Sequence, residues 1–163
     1  MGYIAVNTTA EFVKLDINAS GTFGTPALAF AAGEAANILT IPALQDITVN
    51  ATPGTFEWQQ LDQLSSYIVT TPSTNSLSTN MVLDDTAFFS GAGTTLGVFD
   101  ITNNKTLCYF RMYWQGSSAG DRYIEGEGYL SSLAPTVSAT APVWVAPIDI
   151  LVVGSYTTGV VPA

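Results

Sequence analysis

The sequence has no histidine, one cysteine and only four cationic residues among its 163. Without histidine it lacks the usual proton shuttle, the commonest metal ligand and the base of the common serine and cysteine triads. Cys108 has no second cysteine with which to form an internal disulfide. Four lysines and arginines are too few to line a groove that follows nucleic-acid phosphates, so tight binding of DNA or RNA is not expected.

Charged residues are also scarce, at 10%, against about a quarter in an ordinary globular domain. Hydrophobic residues make up 47%, enough for a packed core, so the polar surface has to come from Ser, Thr, Asn and Gln. This composition suits a β-rich chain covered by neighbouring copies, and it also suits an extracellular β-sandwich. The N-terminal sequence has neither a basic leader nor a long apolar run, which predicts folding in a cytoplasm without a signal peptide or membrane span.

Most of the sequence has the alternation of β-strands, and we predict a single all-β domain over residues 1–163 with one or two short helices. One helix is predicted at 83–89, begun by Asp84 or Asp85, whereas the Ala-rich segment 26–37 fits a helix or an extended loop. Because Pro42 does not fit a central strand, 38–50 is either a strand pair or one bent strand. The predicted strands are 12–17, 46–50, 56–61, 67–70, 98–102, 105–115, 123–133 and 143–154.

Several connections are predicted from turn residues. Residues 52–55 form a turn, and Asn103 with Asn104 makes the tight turn of a hairpin between 98–102 and 105–115. Pro147 predicts an edge position or a bulge in the last strand. Residues 155–163 are expected to form a C-terminal arm.

The strands at 105–115 and 123–133 are predicted to pair so that facing residue numbers add up to 236. This register places Arg111 opposite Glu125, and such facing pairs each stabilise a sheet by roughly 0.2–1 kcal/mol. Gly126 and Gly128 lie together on the small apolar face of the second strand, where they predict the close approach of a bulky group. The other facing pairs in this register are Tyr109 with Glu127 and Tyr113 with Tyr123.

The segment 71–80 is polar, uncharged and about ten residues long, and it is predicted to be a loop. Loops of this length are usually functional or packed on a partner. We therefore expect it to contact an adjacent subunit or ring. The candidate contact residues are Pro72, Ser73, Thr74, Asn75, Ser76, Leu77 and Ser78.

Three motifs admit a chemical interpretation, and each has a simpler one. Glu125 and Glu127 point the same way about 7 Å apart, a separation at which a glycosidase could use two carboxylates, but an ion pair of Glu125 with Arg111 is favoured. Asp84 and Asp85 could bind calcium, but a helix N-cap is favoured. The glycines of 91–97 fit a turn better than a dinucleotide motif. We therefore predict no catalytic residue, metal or cofactor.

The stretch YIEGEGYLSSL at 123–133 follows a Gly/Ser turn and precedes a Pro/Ser/Thr-rich connection and a final strand. This arrangement resembles the tail tube subunit of long-tailed bacteriophages, and so do the pieces at 39–42, 56–62, 83–86 and 98–114. The resemblance implies a β-sandwich or partial barrel with a flanking helix. It also implies six copies in a ring, with one sheet from each joined into a continuous inner β-barrel.

In such a protein the rings stack into a tube through which DNA leaves the capsid, without an active site and without specific DNA binding. The partners implied are further copies of the chain, a terminator, a baseplate or tip, and a sheath if the tail is contractile. The implied location is the virion tail, after synthesis in the bacterial cytoplasm. A carbohydrate-binding or adhesin-type β-sandwich is the alternative function, and a hydrolase is nearly excluded.

A tube of this kind needs a channel wall that does not attract phosphates, and the net charge of −9 provides acidic residues for it. Glu127 is the leading candidate for the lumen, because Arg111 is expected to neutralise Glu125. Asp100 and Asp149 rank next. For Glu127 the alternative is a place in a subunit contact or on the outer wall.

Overall fold

The computed structural model describes residues 13–41, 44–59, 65–83, 85–89, 96–114, 116–138 and 141–162. Within these ranges the chain is mostly β-strand, with three short α-helices and one 3₁₀ helix. The strands are β1 Lys14–Asn18, β2 Ile38–Ile41, β3 Leu44–Gln59, β4 Ser66–Val82, β5 Cys108–Tyr113, β6 Arg122–Leu133, β7 Thr136–Ser138 and β8 Ala141–Val160. The helices are α1 Pro26–Ala29, α2 Asp85–Phe89, α3 Val98–Asn103 and the 3₁₀ helix Ala32–Asn37.

All strands belong to one antiparallel sheet in the order β2-β1-β5-β6-β8-β4-β3, and β7 pairs with the first part of β8. Leu15 of β1 and Leu77 of β4 lie far apart in this order, yet both belong to one buried apolar cluster. The sheet must therefore curl so that one of its faces encloses the core. The prediction of an all-β fold with short helices is confirmed.

The core face follows the period of two in each strand. In β5 it carries Cys108, Phe110 and Met112, all fully buried, as the alternation in this strand predicts. Helix α3 covers part of the same face, because Val98 and Ile101 also join the cluster. The other core-face residues in the cluster include Leu15, Ile17, Leu39, Ile41, Leu77, Met81, Leu130, Ile148 and Ile150.

The predicted register between β5 and β6 is confirmed in full. Arg111 lies opposite Glu125, and the two tyrosine-containing pairs also face each other as expected. The two glycines of β6 mark close approaches. A Cβ at Gly126 would lie 2.8 Å from Cζ of Phe110, and one at Gly128 would meet the carbonyl oxygen of Leu151.

The strand predicted at 98–102 is wrong, because these residues form helix α3. Val98 and Ile101 are three positions apart, so they face the core together on a helix but would point to opposite faces of a strand. The hydroxyl of Thr102 donates a hydrogen bond to the Val98 carbonyl. The predicted hairpin turn at 103–104 is therefore wrong as well, and it is Lys105 that adopts a positive φ of 52°.

Strands β3 and β4 form one long hairpin, which the sequence did not predict. Residues 52–55 continue β3 rather than turning, with a register shift between Thr52 and Gly54. Residues 71–80, predicted as a loop, lie inside the 17-residue strand β4. From Asn75 onwards the strand alternates between buried and less buried positions.

Polar residues on the core face explain why β4 resembles a loop in sequence. Asn75 and Thr79 are buried there, and each satisfies its side chain with a backbone carbonyl: Asn75 donates to Gly154 and Thr79 to Asp46. A buried polar group costs little once it is hydrogen-bonded. The strand therefore needs only Leu77 and Met81 as apolar residues on this face.

Strand β8 runs for 20 residues between β6 and β4, so Pro147 is not on an edge strand. On the β6 side, Pro147 falls between the segment that pairs with β7, ending at Val145, and the segment that pairs with β6, beginning at Ile148. The missing N–H of proline is tolerated at such a break. The arm predicted at 155–163 is part of β8 as far as Val160, and it pairs with the first residues of β6.

The predictions for the segments 26–37, 38–50 and 83–89 differ in outcome. The segment 26–37 is neither one helix nor an extended loop, because α1 ends after four residues and a 3₁₀ helix follows. The segment 38–50 is divided between β2 and β3 around Pro42, which lies outside the described residues. The short helix predicted at 83–89 is confirmed as α2.

Candidate functional site

The second face of the sheet is divided into a covered part and an exposed part. Over β1, β5 and the start of β6, the segment 19–37 lies on the sheet and is fastened to it. The hydroxyl of Tyr109 accepts a hydrogen bond from the N–H of Phe23 and donates one to its carbonyl. Asn18 donates to the carbonyl of Ala29 over 2.7 Å. This covered part has a structural role.

Arg111 and Glu125 lie within the covered part, and the ion pair predicted from the sequence is present. Nη2 of Arg111 is 2.6 Å from Oε2 of Glu125, and the guanidinium also lies over the rings of Phe30 and Tyr123. Burial alone would lower the pKa of Arg111, but the hydrogen bond and the charge of Glu125 raise it above its ordinary value. Glu125 is thereby committed to a buried ion pair and has none of the exposure that a glycosidase carboxylate needs.

We call the exposed part the open face: the side of β6, β8, β4 and β3 that points away from the core. It has few charges and several half-exposed apolar side chains, such as Tyr129 at 43% and Leu151 at 50%. The register continues across four strands, since Tyr129 pairs with Leu151, Leu151 with Ser76, and Ser76 with Asn50. The open face is therefore one surface, four strands wide.

Two of the three lumen candidates, Glu127 and Asp149, lie on the open face, where each is half-buried. Glu127 pairs with Val153, and Asp149 pairs with Ser78 and Ser132. Asp100 does not join them. It belongs to α3, which packs against the core face on the other side of the sheet.

The open face carries a third acidic residue, Asp46 on β3, which we did not select from the sequence. It lies opposite Asn80, whose backbone N–H and side-chain amide both donate to its carboxylate, the latter over 2.9 Å to Oδ2. Its place became evident only from the pairing of β3 with β4. Because 71–80 was predicted as a loop, no partner strand was predicted for Asp46.

Beyond the sheet, β3 and β4 continue as a two-stranded ribbon, which we define as residues 54–59 and 66–71. One side of it carries Phe56 beside Val69 and Trp58 beside Tyr67. The rings of Trp58 and Tyr67 stack with centroids 5.0 Å apart. All four side chains are exposed by 40–58%. Such an apolar surface is typical of a contact region.

The residues predicted as a contact loop are therefore divided between two environments. Pro72, Ser73 and Thr74 are exposed at the base of the ribbon, where a neighbour could reach them. From Asn75 to Ser78 the strand is inside the sheet, and Leu77 is completely buried. A contact role for Leu77 is contradicted by its burial, because its side chain has no surface to offer.

A second apolar region lies at the other end of β4, and we call it the groove. It has a volume of about 450 Å³ and is lined by Leu83, Asp85, Phe88, Phe89, Pro135 and Trp144. Phe88, Phe89 and Phe99 form a cluster with ring centroids 4.8–6.3 Å apart. Phe89 and Trp144 are more than half exposed.

The described residues show no arrangement that would support catalysis or metal binding. Within the described ranges, no three His, Cys, Asp or Glu side chains are grouped as metal ligands. Asp84 and residues 91–95, on which the calcium and dinucleotide alternatives depend, lie outside those ranges. Burial raises the pKa of the Cys108 thiol to about 12, so this cysteine is unreactive. In the same part of the chain, no helix has the length and hydrophobicity that a membrane crossing requires.

The sequence matches no protein-family model, and no curated protein matches it significantly. The fold, in contrast, is similar to solved structures. The tail of an empty gene transfer agent particle, refined with C6 symmetry, matches with a TM-score of 0.59 at 12% identity, over 95% of this chain and 99% of that one. The SPP1 tail tube matches with a TM-score of 0.66 at 10% identity, over 98% and 81%.

The chain has the fold of tail tube subunits. A subunit from the virion of a native gene transfer agent particle is also similar, with a TM-score of 0.57 at 12% identity, over 95% of this chain and 99% of that one. Identities of 10–12% establish the fold, and the resemblance noted in the sequence is confirmed at that level.

Proposed function

We propose that this chain is the subunit of a tail tube, in which six copies form a ring and the rings stack. The observation that carries the proposal is that the similarity to tail and tube subunits extends over nearly the whole chain. One of these neighbours was refined with C6 symmetry, which supports six copies to a ring. The weakly charged open face and the apolar ribbon are both surfaces that such an assembly would use.

The open face would line the channel. It is four strands wide, so six copies would contribute about 24 strands to a closed barrel. With strands roughly 4.8 Å apart and tilted by about 40°, the backbone diameter is about 48 Å, and side chains leave a channel of roughly 35–40 Å. Duplex DNA passes through an opening of that size.

The charge of the open face suits passage without binding. Asp46, Glu127 and Asp149 lie on it, whereas the four cations of the chain lie elsewhere. Two of these cations are held in ion pairs, Lys14 with Asp16 and Arg111 with Glu125. A wall without free cations does not bind phosphates through counterion release, so DNA would not be retained. Asp100, on the other side of the sheet, is no longer a favoured lumen residue.

The ribbon would contact a neighbouring subunit, and so would Pro72, Ser73 and Thr74, the exposed part of the segment 71–80 at its base. An isolated two-stranded ribbon is only marginally stable in water, and this one exposes four large apolar side chains on one side. A neighbouring subunit packed on the ribbon would stabilise its two strands and bury these apolar side chains. The location implied is the virion tail, with a terminator at one end of the tube, a baseplate or tip at the other, and host cytoplasm as the place of synthesis.

Electron microscopy of the purified protein tests the proposal directly. Negatively stained samples should show rings about as wide as a 24-stranded barrel with its outer helices, and tubes at higher concentration. Sedimentation velocity should show species heavier than a monomer that grow with concentration. A protein that remains monomeric at high concentration and across a range of salt would overturn the proposal.

A further inference from the structure

The ribbon and the groove lie at opposite ends of strand β4. On β4 the ribbon ends at Thr71, and Leu83 of the groove directly follows Val82, the last residue of the strand. The twelve residue steps from Thr71 to Leu83 span about 40 Å in an extended strand. The ribbon projects from the far end by a further five steps, or roughly 17 Å. The two surfaces therefore cannot meet within one chain.

One side of the ribbon carries apolar side chains that suit insertion into an apolar groove. Phe56 and Val69 face each other across it, and both are more than half exposed. Glu57, the one charged residue of this segment, points to the opposite side because it neighbours Phe56 in the strand. The side formed by the aromatic residues is therefore uncharged.

The groove has the complementary chemistry. Of the six lining residues that the structure describes, five are apolar, and Asp85 is the exception. Its volume of about 450 Å³ lies within the range of sites that bury apolar groups. The rings of Phe89 and Trp144 are exposed at its wall, where they offer edges and faces for aromatic contacts.

We propose that the ribbon of one copy docks into the groove of a second copy of this chain. This rests on the proposed tube, and it names the site that receives the ribbon. The contact joins two different surfaces, so it is heterologous and leaves a free ribbon at one end and a free groove at the other. Because the two surfaces are separated along the strand direction, repetition of the contact adds copies one after another along that direction. It thus connects one ring to the next.

The area of the contact fits a role between rings. The three aromatic side chains of the ribbon, roughly 150–250 Å² each and about half exposed, offer about 300 Å², and Val69 adds a smaller area. Contact with a groove of similar area therefore buries at most about 800 Å² in total. A stable interface between two free proteins needs about 1,200 Å² or more. A single contact is therefore too weak to hold two subunits, whereas six made together by two rings reinforce one another.

Disulfide trapping tests the contact in assembled tubes. The background is favourable, because Cys108 is the only cysteine and is fully buried. The variant Val69→Cys/Asp85→Cys places one thiol on the ribbon and one at the groove. Under mild oxidation it should give a ladder of covalent oligomers on a non-reducing gel, and Val69→Cys/Val160→Cys, with its second thiol at the exposed end of β8, should not. Tubes without a ladder would overturn this inference alone, whereas the absence of tubes in the unmodified protein would overturn the proposed function.

A mixing experiment provides a second test that does not depend on thiol geometry. Phe89→Glu places a charge at the groove and leaves the ribbon intact, and Val69→Glu does the reverse. Each variant alone should form rings that do not stack. Mixed in equal amounts, they should form ring pairs of twice the mass, because one functional ribbon then meets one functional groove. If both variants form normal tubes alone, or if the folded variants form no pairs when mixed, the docking site is wrong.

Discussion

Arg111 and Glu125 lie directly opposite each other on β5 and β6, and their side chains are only 11% and 6% exposed. Two charges removed from water to this extent depend on each other. Loss of the carboxylate would leave the guanidinium buried without a counter-charge between Phe30 and Tyr123. Removing both charges together should cost less stability, because no unpaired charge would remain buried.

We therefore predict that Glu125→Gln lowers the free energy of unfolding by about 3–5 kcal/mol. Chemical denaturation followed by tryptophan fluorescence measures this. The exposed Glu57 supplies the control, because Glu57→Gln should change stability by less than about 0.5 kcal/mol. The double variant Arg111→Met/Glu125→Leu should be more stable than Glu125→Gln. Equal stability of Glu125→Gln and the control would show that the pair contributes nothing.

A second prediction concerns the glycine beneath Phe110. In Gly126→Ala the new Cβ would lie 2.8 Å and 3.0 Å from two atoms of the Phe110 ring, which is fully buried. Overpacking of this kind costs about 1–3 kcal/mol. Gly24→Ala is the matched control, because nothing lies within 4 Å of its Cβ position.

If the Phe110 ring is the obstacle, removing the ring should restore most of the stability that Gly126→Ala loses. Phe110→Leu removes the ring, so adding Gly126→Ala to that variant should cost much less than it does in the unmodified chain. The melting temperatures of the unmodified chain, the two single variants and the double variant measure the cost of Gly126→Ala with and without the ring. An undiminished cost in the Phe110→Leu background would mean that the ring is not the obstacle.

The sequence predicted β5 and β6 well because two independent signals agreed there. Alternation defined the faces, and cross-strand chemistry placed Arg111 opposite Glu125. The same approach failed for β4, where buried Asn75 and Thr79 replace apolar residues and make a strand look like a loop. It failed for α3 because Val98 and Ile101 are too few to distinguish a helical period from a strand. The open face could not be predicted, since it depends on the pairing of four strands that are distant in sequence.

Alkaline pH is predicted to destabilise the fold through Cys108. Burial raises its pKa from 9.0 to about 12, so between these values the thiol ionises in the unfolded chain and stays neutral in the folded one. Its contribution to stability is complete below about pH 9 and is lost at about 1.4 kcal/mol per pH unit up to about pH 12. Unfolding free energies at several pH values measure the slope, and Cys108→Ser should reduce it by that amount. Identical slopes would refute the prediction.

Salt is predicted to promote stacking of the rings. Each ring of six copies carries 6 × −9 = −54 charges, so approaching rings repel each other, while the ribbon contact is apolar. Raising the salt concentration from about 0.01 to 0.1 M shortens the screening length from about 30 to 10 Å. Light scattering should therefore show faster tube growth at the higher concentration. Slower growth would indicate that ion pairs, rather than apolar contacts, hold the rings together.

The last prediction concerns the channel. If Glu127 lines it, Glu127→Lys places six new cations in each ring where phosphates pass, and each cation that neutralises a phosphate strengthens binding through counterion release. Tubes should still assemble, because Glu127 is only half-buried and lies beside Val153 and Tyr109 rather than in an ion pair of the described chain. DNA ejection from particles with this variant should be slower, and most strongly so at low salt, where screening is weakest.

Asp149→Lys should slow ejection in the same way, since Asp149 lies on the same open face. Asp100→Lys makes the identical change of charge on α3, across the sheet, and should leave ejection unchanged. Single-particle ejection times measured at two salt concentrations separate these outcomes. If Asp100→Lys slows ejection and Glu127→Lys does not, the channel is lined by the other side of the sheet. If Glu127→Lys prevents tube formation, Glu127 belongs to a subunit contact, and in both cases the assignment of the open face to the lumen is wrong.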